Sequence, residues 1–402
     1  MAPSREYARA RVAVTLMFLL NGVGWSSLIP RYPELKNGLG LDDLSWGLVV
    51  GVGPLGGLLA GLFTARLMRR FNSSWVWLAS TLVGLSMLNV SGNAVHWAMF
   101  AVGLITMAAM DALADIAMNA HGLRVQRGYG RSILNGLHGW WSVGAVIGGF
   151  LGSTAAQLGV PIWAQALVGF VAFAAAAFYA RSLALPGPDA EPVTDPTAPT
   201  HGRGIPRRWL PRLLALGLLG ASAGLIEDSG ASWGGVYLES QFTVAPFVIG
   251  MAFVALQGSQ MIGRFTGDAL TNRIGPRAAV TQGMLIAAVG MGLAVAFPTP
   301  VTTLIGFACA GWGIATAIPG AMHAADELPG MLHGNGLTFV TWLMRVGFFV
   351  GPPLIGLVAQ YVNLRWALLV IPVTAALGLL LSPALTPPRH AASPAADGGR
   401  PR

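Results

Sequence analysis

Twelve long apolar runs, separated by short polar breaks, fill the chain at about 11–30, 44–66, 75–94, 97–120, 133–157, 161–181, 212–238, 245–267, 278–297, 301–322, 335–360 and 364–384. A helix needs roughly 20 apolar residues to cross the hydrocarbon core of a bilayer. The pattern therefore predicts an all-α integral membrane protein with twelve transmembrane helices, called spans 1 to 12 below. One break is too polar to span, Leu185 to Arg208, rich in Pro, Thr, Asp and Arg. It divides the chain into an N-terminal six-helix bundle (1–184), a cytoplasmic linker (185–208) and a C-terminal six-helix bundle (209–386). The Ala/Pro/Gly-rich tail (387–402) reads as disordered.

The two bundles echo one another. Gly-Leu-Phe-Thr-Ala-Arg-Leu-Met-Arg-Arg (61–70) follows span 2, and Asp-Ala-Leu-Thr-Asn-Arg-Ile-Gly-Pro-Arg (268–277) follows span 8, with Arg66 and Arg273 207 positions apart. Gly144 of span 5 and Gly351 of span 11 share that offset, and Gly149 and Gly356 follow each of them five residues on. Duplicated halves about a central linker are the layout of a secondary transporter, with its site between the repeats near the bilayer midplane.

Charge sharpens this reading. Of 402 residues, 54% are hydrophobic and only 10% are Asp, Glu, Lys or Arg, against about 25% in a soluble domain. The lone lysine, Lys36, precedes Asn37, which excludes a P-loop nucleotide site. The lone cysteine, Cys309, excludes an intrachain disulfide and a cysteine metal cluster. The histidines lack metal-ligand spacing, so neither a metal nor a cofactor is expected. The net charge of +8 does not point to nucleic acid, because the arginines cluster between apolar runs. With the N-terminus in the cytoplasm, 19 of the 24 Arg and Lys lie inside, while Arg31, Lys36 and Arg365 lie outside. That is a strong positive-inside bias and puts both termini in the cytoplasm. The first run is flanked by arginines and lacks a small-residue cleavage site, so it reads as a span and not as a signal peptide.

The two basic segments resemble the major facilitator superfamily signature, Gly-x-x-x-Asp-Arg-x-Gly-Arg-Arg. Arg66, Arg69 and Arg70 match in the first copy, with Ala65 and Met68 at the Asp and second Gly positions. Arg273, Gly275 and Arg277 match in the second, with Asn272 at the Asp position. The resemblance implies a cytoplasmic latch between the halves, with Asp268 beside it. Further phrases resemble a MosC-like bacterial branch: Asp115-x-x-Met118-Asn119-Ala120-His121-Gly122, Leu137-His138-Gly139, Glu227 with Trp233-x-Gly235-Val236-Tyr237-Leu238, and Gly351-Pro352-Pro353-Leu354-Ile355-Gly356. Asp228 and Ser232 depart from that branch, and Ala145 departs from the exporter signature of span 5, which has Pro there. The resemblance implies two pseudo-symmetric six-helix bundles, alternating access, no enzyme activity, and a multi-pass place in the bacterial inner membrane. That branch includes a membrane protein of an amino-inositol locus, which implies a small polar solute.

Ionised groups inside a bilayer are costly and usually face a cavity or a partner. Spans 3, 6, 9 and 12 have none in their interiors, as the resemblance implies for outer supports, whereas Asp111 and Asp115 lie in span 4, Glu227 and Asp228 in span 7, and Arg345 in span 11. Asp111, Asp115 and Asn119 recur every four residues on one helix stripe. That stripe is either a protonation and substrate face or, at Asp115 and Asn119, a gate to neighbouring helix ends. Glu227 has no basic residue within a turn. Arg264 and Asp268, one turn apart, are expected to satisfy each other. His138 is either a proton relay or a structural hydrogen-bond donor. Asn21, Trp25, Trp141, Gln257, Trp312 and Trp342 are candidate cavity residues, and the seven tryptophans nearer span ends suit an interfacial belt. Gly144/Gly148 and Gly347/Gly351 should let helices approach closely. Pro352-Pro353 should break or kink span 11.

These features predict a monomeric secondary transporter driven by protons or Na⁺, carrying a sugar, polyol or amino-cyclitol. A proton-driven multidrug or metabolite exporter of the same fold is the alternative. An integral-membrane enzyme using Asp111, Asp115 and His138 fits poorly, because these acids lie in mid-span and the loops mostly carry arginine.

Overall fold

The computed structural model describes residues 5–129, 133–187, 206–329 and 335–386. The expectations for most of the linker (188–205) and for the tail (387–402) fall outside these residues. Eleven helical segments are long and apolar enough to cross a membrane. The 24-residue helix Leu134–Gln157 supplies span 5 and makes twelve.

Spans 1 to 6 are Arg5–Ser26, the pair Asp43–Gly51 and Pro54–Phe71, Ser73–Gly92, Trp97–Tyr129, Leu134–Gln157 and Ile162–Leu183. Spans 7 to 12 are Leu210–Gln241, Pro246–Ile274, Pro276–Ala296, the pair Pro300–Ile314 and Ala317–Asp326, Asn335–Tyr361, and the pair Leu364–Ala367 and Val370–Leu381. Proline opens several of them, at Pro54, Pro246, Pro276 and Pro300, where its missing N–H costs nothing because first-turn N–H groups have no helical partner. Span 4 has 33 residues and is about 50 Å long at 1.5 Å per residue. It outruns its apolar core because arginine is a good helix former, so Arg124 and Arg127 continue the helix out of the membrane.

The breaks inside spans also follow from proline chemistry. Pro54 has no N–H for the Val50 carbonyl, which takes the Gly53 N–H instead, at 3.1 Å, and span 2 divides there. Of the break or kink expected at Pro352-Pro353, the break is not formed. Asn335–Tyr361 is one uninterrupted helix with both prolines inside it. The surface they create is occupied by span 2: a Cβ on Gly47 would stand 2.4 Å from the Pro352 carbonyl oxygen, and one on Gly51 2.7 Å from the Pro353 ring. The proline pair forms a packing surface between the halves and does not end the helix.

The small-residue pairs do what their spacing requires. A Cβ on Gly144 would meet the Leu19 carbonyl of span 1 at 2.1 Å, and one on Gly347 the Ala221 carbonyl of span 7 at 2.1 Å. Spans 1 and 5, and their repeats 7 and 11, therefore touch backbone to backbone. Span 6 buries only Ala177 and Ala180, as an outer support should. Span 3 is more enclosed and adds Ser80 and Thr81 to a cavity described below.

The repeated basic segments end their helices at different places. In the second copy the helix stops at Gly275, with φ 84°, and Pro276 starts the next. In the first copy the equivalent position is Met68, which cannot take positive φ cheaply. The helix runs on to Phe71, and Asn72 takes the turn with φ 63°. Arg66 and Arg70 thus lie on the last turns of span 2 and not in a loop. Asn72→Gly should raise the thermal midpoint, whereas Asn72→Val should lower it, with strain of about 1–3 kcal/mol at stake. A thermal melt of the purified protein checks both signs.

The two halves close against each other at the end that carries the loops after spans 1 and 7. Trp46 of span 2 is fully buried, stacks on Phe100 at 5.4 Å between centroids and donates Nε1–H to the Ser232 carbonyl of span 7 at 3.2 Å. Asn37 donates to Glu239 at 3.1 Å, and the Phe247 N–H donates to Gln157 at 3.1 Å. Of the seven tryptophans assigned to an interfacial belt, Trp46 and Trp77 are instead fully buried. Arg31, counted as an outside charge, is also buried, held by Glu34 at 2.6 Å, the Val160 carbonyl at 2.9 Å and Gln165 at 2.8 Å.

Candidate functional site

The acid stripe of span 4 faces a polar relay that crosses three other helices. Asp111 accepts a hydrogen bond from Asn21 Nδ2 of span 1 at 2.9 Å. Asn21 Oδ1 in turn accepts Trp141 Nε1–H of span 5 at 2.7 Å. The Arg264 guanidinium of span 8 lies 5.7 Å from the centroid of the Trp141 ring and donates to Ser142 Oγ at 3.0 Å. Four spans from both halves are therefore joined through one line of side chains. Beside Asp111 a cavity of about 50 Å³ is lined by Asn21, Trp25, Thr81 and Met110, among others. It has room for a few waters, and Thr81 Oγ1 is buried without a protein partner.

One turn along span 4, Asp115 is exposed and accepts Asn119 Nδ2 at 3.0 Å. Asn119 also donates to the Asp115 carbonyl at 2.8 Å. These two residues serve each other on one helix, so the contacts from Asn119 to neighbouring helix ends allowed by the gate reading are not formed. Across the interface, Arg345 of span 11 sits 3.6 Å from the place a Cβ on Gly57 would take, and its field reaches both Asp111 and Asp115. Among the described residues neither carboxylate is within ion-pair distance of it.

Span 7 presents the second acid pair. Glu227 is 9% exposed and accepts Gln257 Nε2 of span 8 at 3.3 Å. Asp228 accepts Ser232 Oγ from its own helix at 3.0 Å. Beside Glu227, Gln257 Oε1 and both amide atoms of the fully buried Gln260, one turn further along span 8, have no hydrogen-bond partner among the described residues. A buried polar atom left unpaired costs about 1–3 kcal/mol. A cluster of them is difficult to account for unless water or a hydrogen-bonding solute meets it.

Other expected residues are placed less centrally. His138 is exposed and packs edge-on to Phe18 at 5.0 Å between centroids, with no hydrogen bond among the described residues. Trp342 is 62% exposed, and Trp312 Cε3 lies 3.7 Å from where a Cβ on Gly263 would stand. The expected mutual pairing of Arg264 and Asp268 is overturned: Arg264 bonds Ser142 across the interface, and Asp268 is exposed. Arg66, Arg70, Arg273 and Arg277 are exposed, and the Arg69 side chain lies outside the described residues. On the cytoplasmic side no ion pair joins the two motif copies among the described residues. No group of three or more His, Cys, Asp or Glu among the described residues could hold a metal. Sequence reasoning missed Trp46, Ser142, Thr81 and Ser232. A polar group among small apolar neighbours was the only available signal, and many structural residues share it.

Comparison with known proteins agrees with this geometry. Residues 219–401 match the family model described as Major Facilitator Superfamily. An uncharacterised MFS-type transporter of Yersinia pestis is 28% identical over 363 residues, covering 89% of this chain and 91% of the relative. The membrane protein MosC of Rhizobium meliloti is 26% identical over 370 residues, covering 89% and 86%. Among solved structures, a bacterial homologue of the human lysosomal transporter Spinster, inward-facing and unoccupied, superimposes with TM-score 0.74 at 15% identity, covering 95% of this chain and 98% of that one. The Yersinia relative and the Spinster homologue are named as transporters or transporter homologues, and MosC as a membrane protein. Twelve spans in two duplicated halves, a family-model match over the C-terminal half and relatives matching along most of the chain lead to one conclusion: the chain is similar to transporters of the major facilitator superfamily and shares their fold.

Proposed function

We propose that the protein is a secondary active transporter working by alternating access, coupled to protons, that carries a small polar solute of the sugar, polyol or amino-cyclitol kind. The observation that carries this reading is the charge arrangement: Asp111, Asp115, Glu227 and Asp228 face an interior whose central base is Arg345. The unbalanced negative charge must be met by protons, by Na⁺ or by a cationic solute. The unpaired amide atoms of Gln257 and Gln260 favour a solute rich in hydrogen-bonding groups, because an apolar drug would leave them unmet. In the same reading residues 1–184 and 209–386 move as two bodies joined by the linker 185–208. The chain works as a monomer in a bacterial inner membrane, with both termini in the cytoplasm.

Purified protein in liposomes tests the reading. A thermal-shift screen of sugars, inositols, amines and drugs first selects a solute, since ligand binding raises apparent stability. That solute, added as a gradient, should move protons in step with itself, without a need for Na⁺. Glu227→Gln and Asp115→Asn should each fold and yet lose the pH dependence of transport. Unchanged proton movement in both variants would refute the assignment of these acids.

A further inference from the structure

Away from the interior, a second cavity of about 680 Å³ opens at the cytoplasmic ends of spans 1, 3 and 6. Arg5, Arg9, Arg181, Asn72, Trp75 and Glu6 line it, along with the segment that leaves span 6. The Arg181 guanidinium stacks 4.3 Å above the Trp75 ring, and its Nε is buried with no hydrogen-bond partner. Among the described residues Arg5, Arg9 and Arg181 make no ion pair, even though Glu6 lies within a turn of Arg9. Span 3 begins here at Asn72 without a side-chain cap, so the positive end of that helix adds to the field of the arginines. The far wall is fixed, because Arg124 donates to the carbonyls of Pro186 and Gly187.

We propose that this cavity binds a phosphate group, presented by an anionic lipid headgroup of the cytoplasmic leaflet or as free phosphate. Three guanidiniums against one lining carboxylate, Glu6, and in no ion pair among the described residues, suit a phosphate, which accepts paired N–H bonds from each. The stacking on Trp75 fixes the direction of Arg181 in advance, so little side-chain freedom is lost on binding. The indole of Trp75 is 51% exposed, and tryptophan at a span end marks the headgroup level. Basic pockets on the cytoplasmic side of helical bundles are a known lipid-recognition chemistry. None of the acids of the transport interior touches this cavity.

The full-length protein in detergent is titrated with phosphatidylglycerol, with phosphatidylcholine of the same acyl chains, and with inorganic phosphate, reading the thermal midpoint and lipid retention by native mass spectrometry. Phosphatidylglycerol should bind more tightly than phosphatidylcholine. Arg181→Gln and Arg9→Gln should each weaken it about fivefold, and Arg207→Gln, an exposed arginine outside the cavity, should not. Arg9 is exposed on span 1, so its variant reports on binding even if Arg181→Gln does not fold. Stabilisation by inorganic phosphate that is lost in the same variants assigns the site to a soluble phosphate. Equal binding of the two lipids with no effect of phosphate, or full phosphatidylglycerol preference in Arg9→Gln, overturns the proposal.

Discussion

Gly47→Val is expected to open the outer side of the protein. The new Cβ would stand 2.4 Å from the Pro352 carbonyl oxygen and 3.2 Å from the Pro353 Cα, both backbone atoms of an uninterrupted helix. No side chain can rotate out of the way, so spans 2 and 11 must separate. In the proposed alternating access, separation of the halves at this end is one of the two states, which gives the overlap somewhere to relax. Overpacking typically costs about 1–3 kcal/mol, enough to shift a two-state population roughly tenfold to hundredfold. In a Cys309→Ser background, Gln257→Cys lies buried beneath the seal. Its labelling by an impermeant thiol reagent from outside should quicken by about that factor. Gly144→Val makes an informative contrast. Its Cβ would meet the Leu19 carbonyl at 2.1 Å within a single bundle, where the transport cycle offers no relief, so the expected result is loss of folded protein. Unchanged labelling in Gly47→Val would show that this contact does not hold the outer side shut.

Arg345→Gln should slow transport by roughly tenfold or more while leaving most of the fold intact. Arg345 is half-buried and Asp111 and Asp115 are exposed to the cavity; coupling between close charges is worth about 1.5 kcal/mol or more, and each 1.4 kcal/mol is a factor of ten. Arg345 makes no hydrogen bond among the described residues, so it contributes little to local packing, yet its field reaches Asp111 and Asp115. Without it, the only described charges near those acids are other carboxylates and the more distant Arg264. Arg345→Lys should recover part of the rate, since it keeps the charge and loses the planar fork. Initial rates in liposomes at two pH values measure the effect. Wild-type rates and pH dependence in Arg345→Gln would mean that the interior charge is balanced elsewhere.

The parts of the fold that were legible beforehand depend on solvent. Span number and length follow from the requirement that every stretch crossing lipid be apolar and helical, and that requirement is local to each run. The same holds for the position of the interior acids: a carboxylate in the middle of an apolar run announces itself. Partners were much harder to read. Arg264 sits four residues from Asp268, which suggested a local pair, but the helix turns its guanidinium towards Ser142 and Trp141 of span 5. Sequence spacing cannot reveal a neighbour that lies 122 positions away. Pro352-Pro353 signalled a break for the same reason, since the glycines that receive the two rings lie on span 2.

The basic repeat shows where the boundary falls. Its duplication, and with it the two-halved architecture, is written in the order of residues alone. So is the difference between its copies, because Gly275 can take a positive φ and Met68 cannot, which moves the turn to Asn72. The chain by itself determined a twelve-span membrane protein of duplicated halves with acids inside spans 4 and 7. Tertiary structure alone decided that Asp111 connects through Asn21 and Trp141 to Arg264, and that Trp46 and the Gly47–Pro352 contact close the outer side. Burial in lipid is a property of each segment taken singly, whereas a relay or a seal exists only between segments that folding brings together.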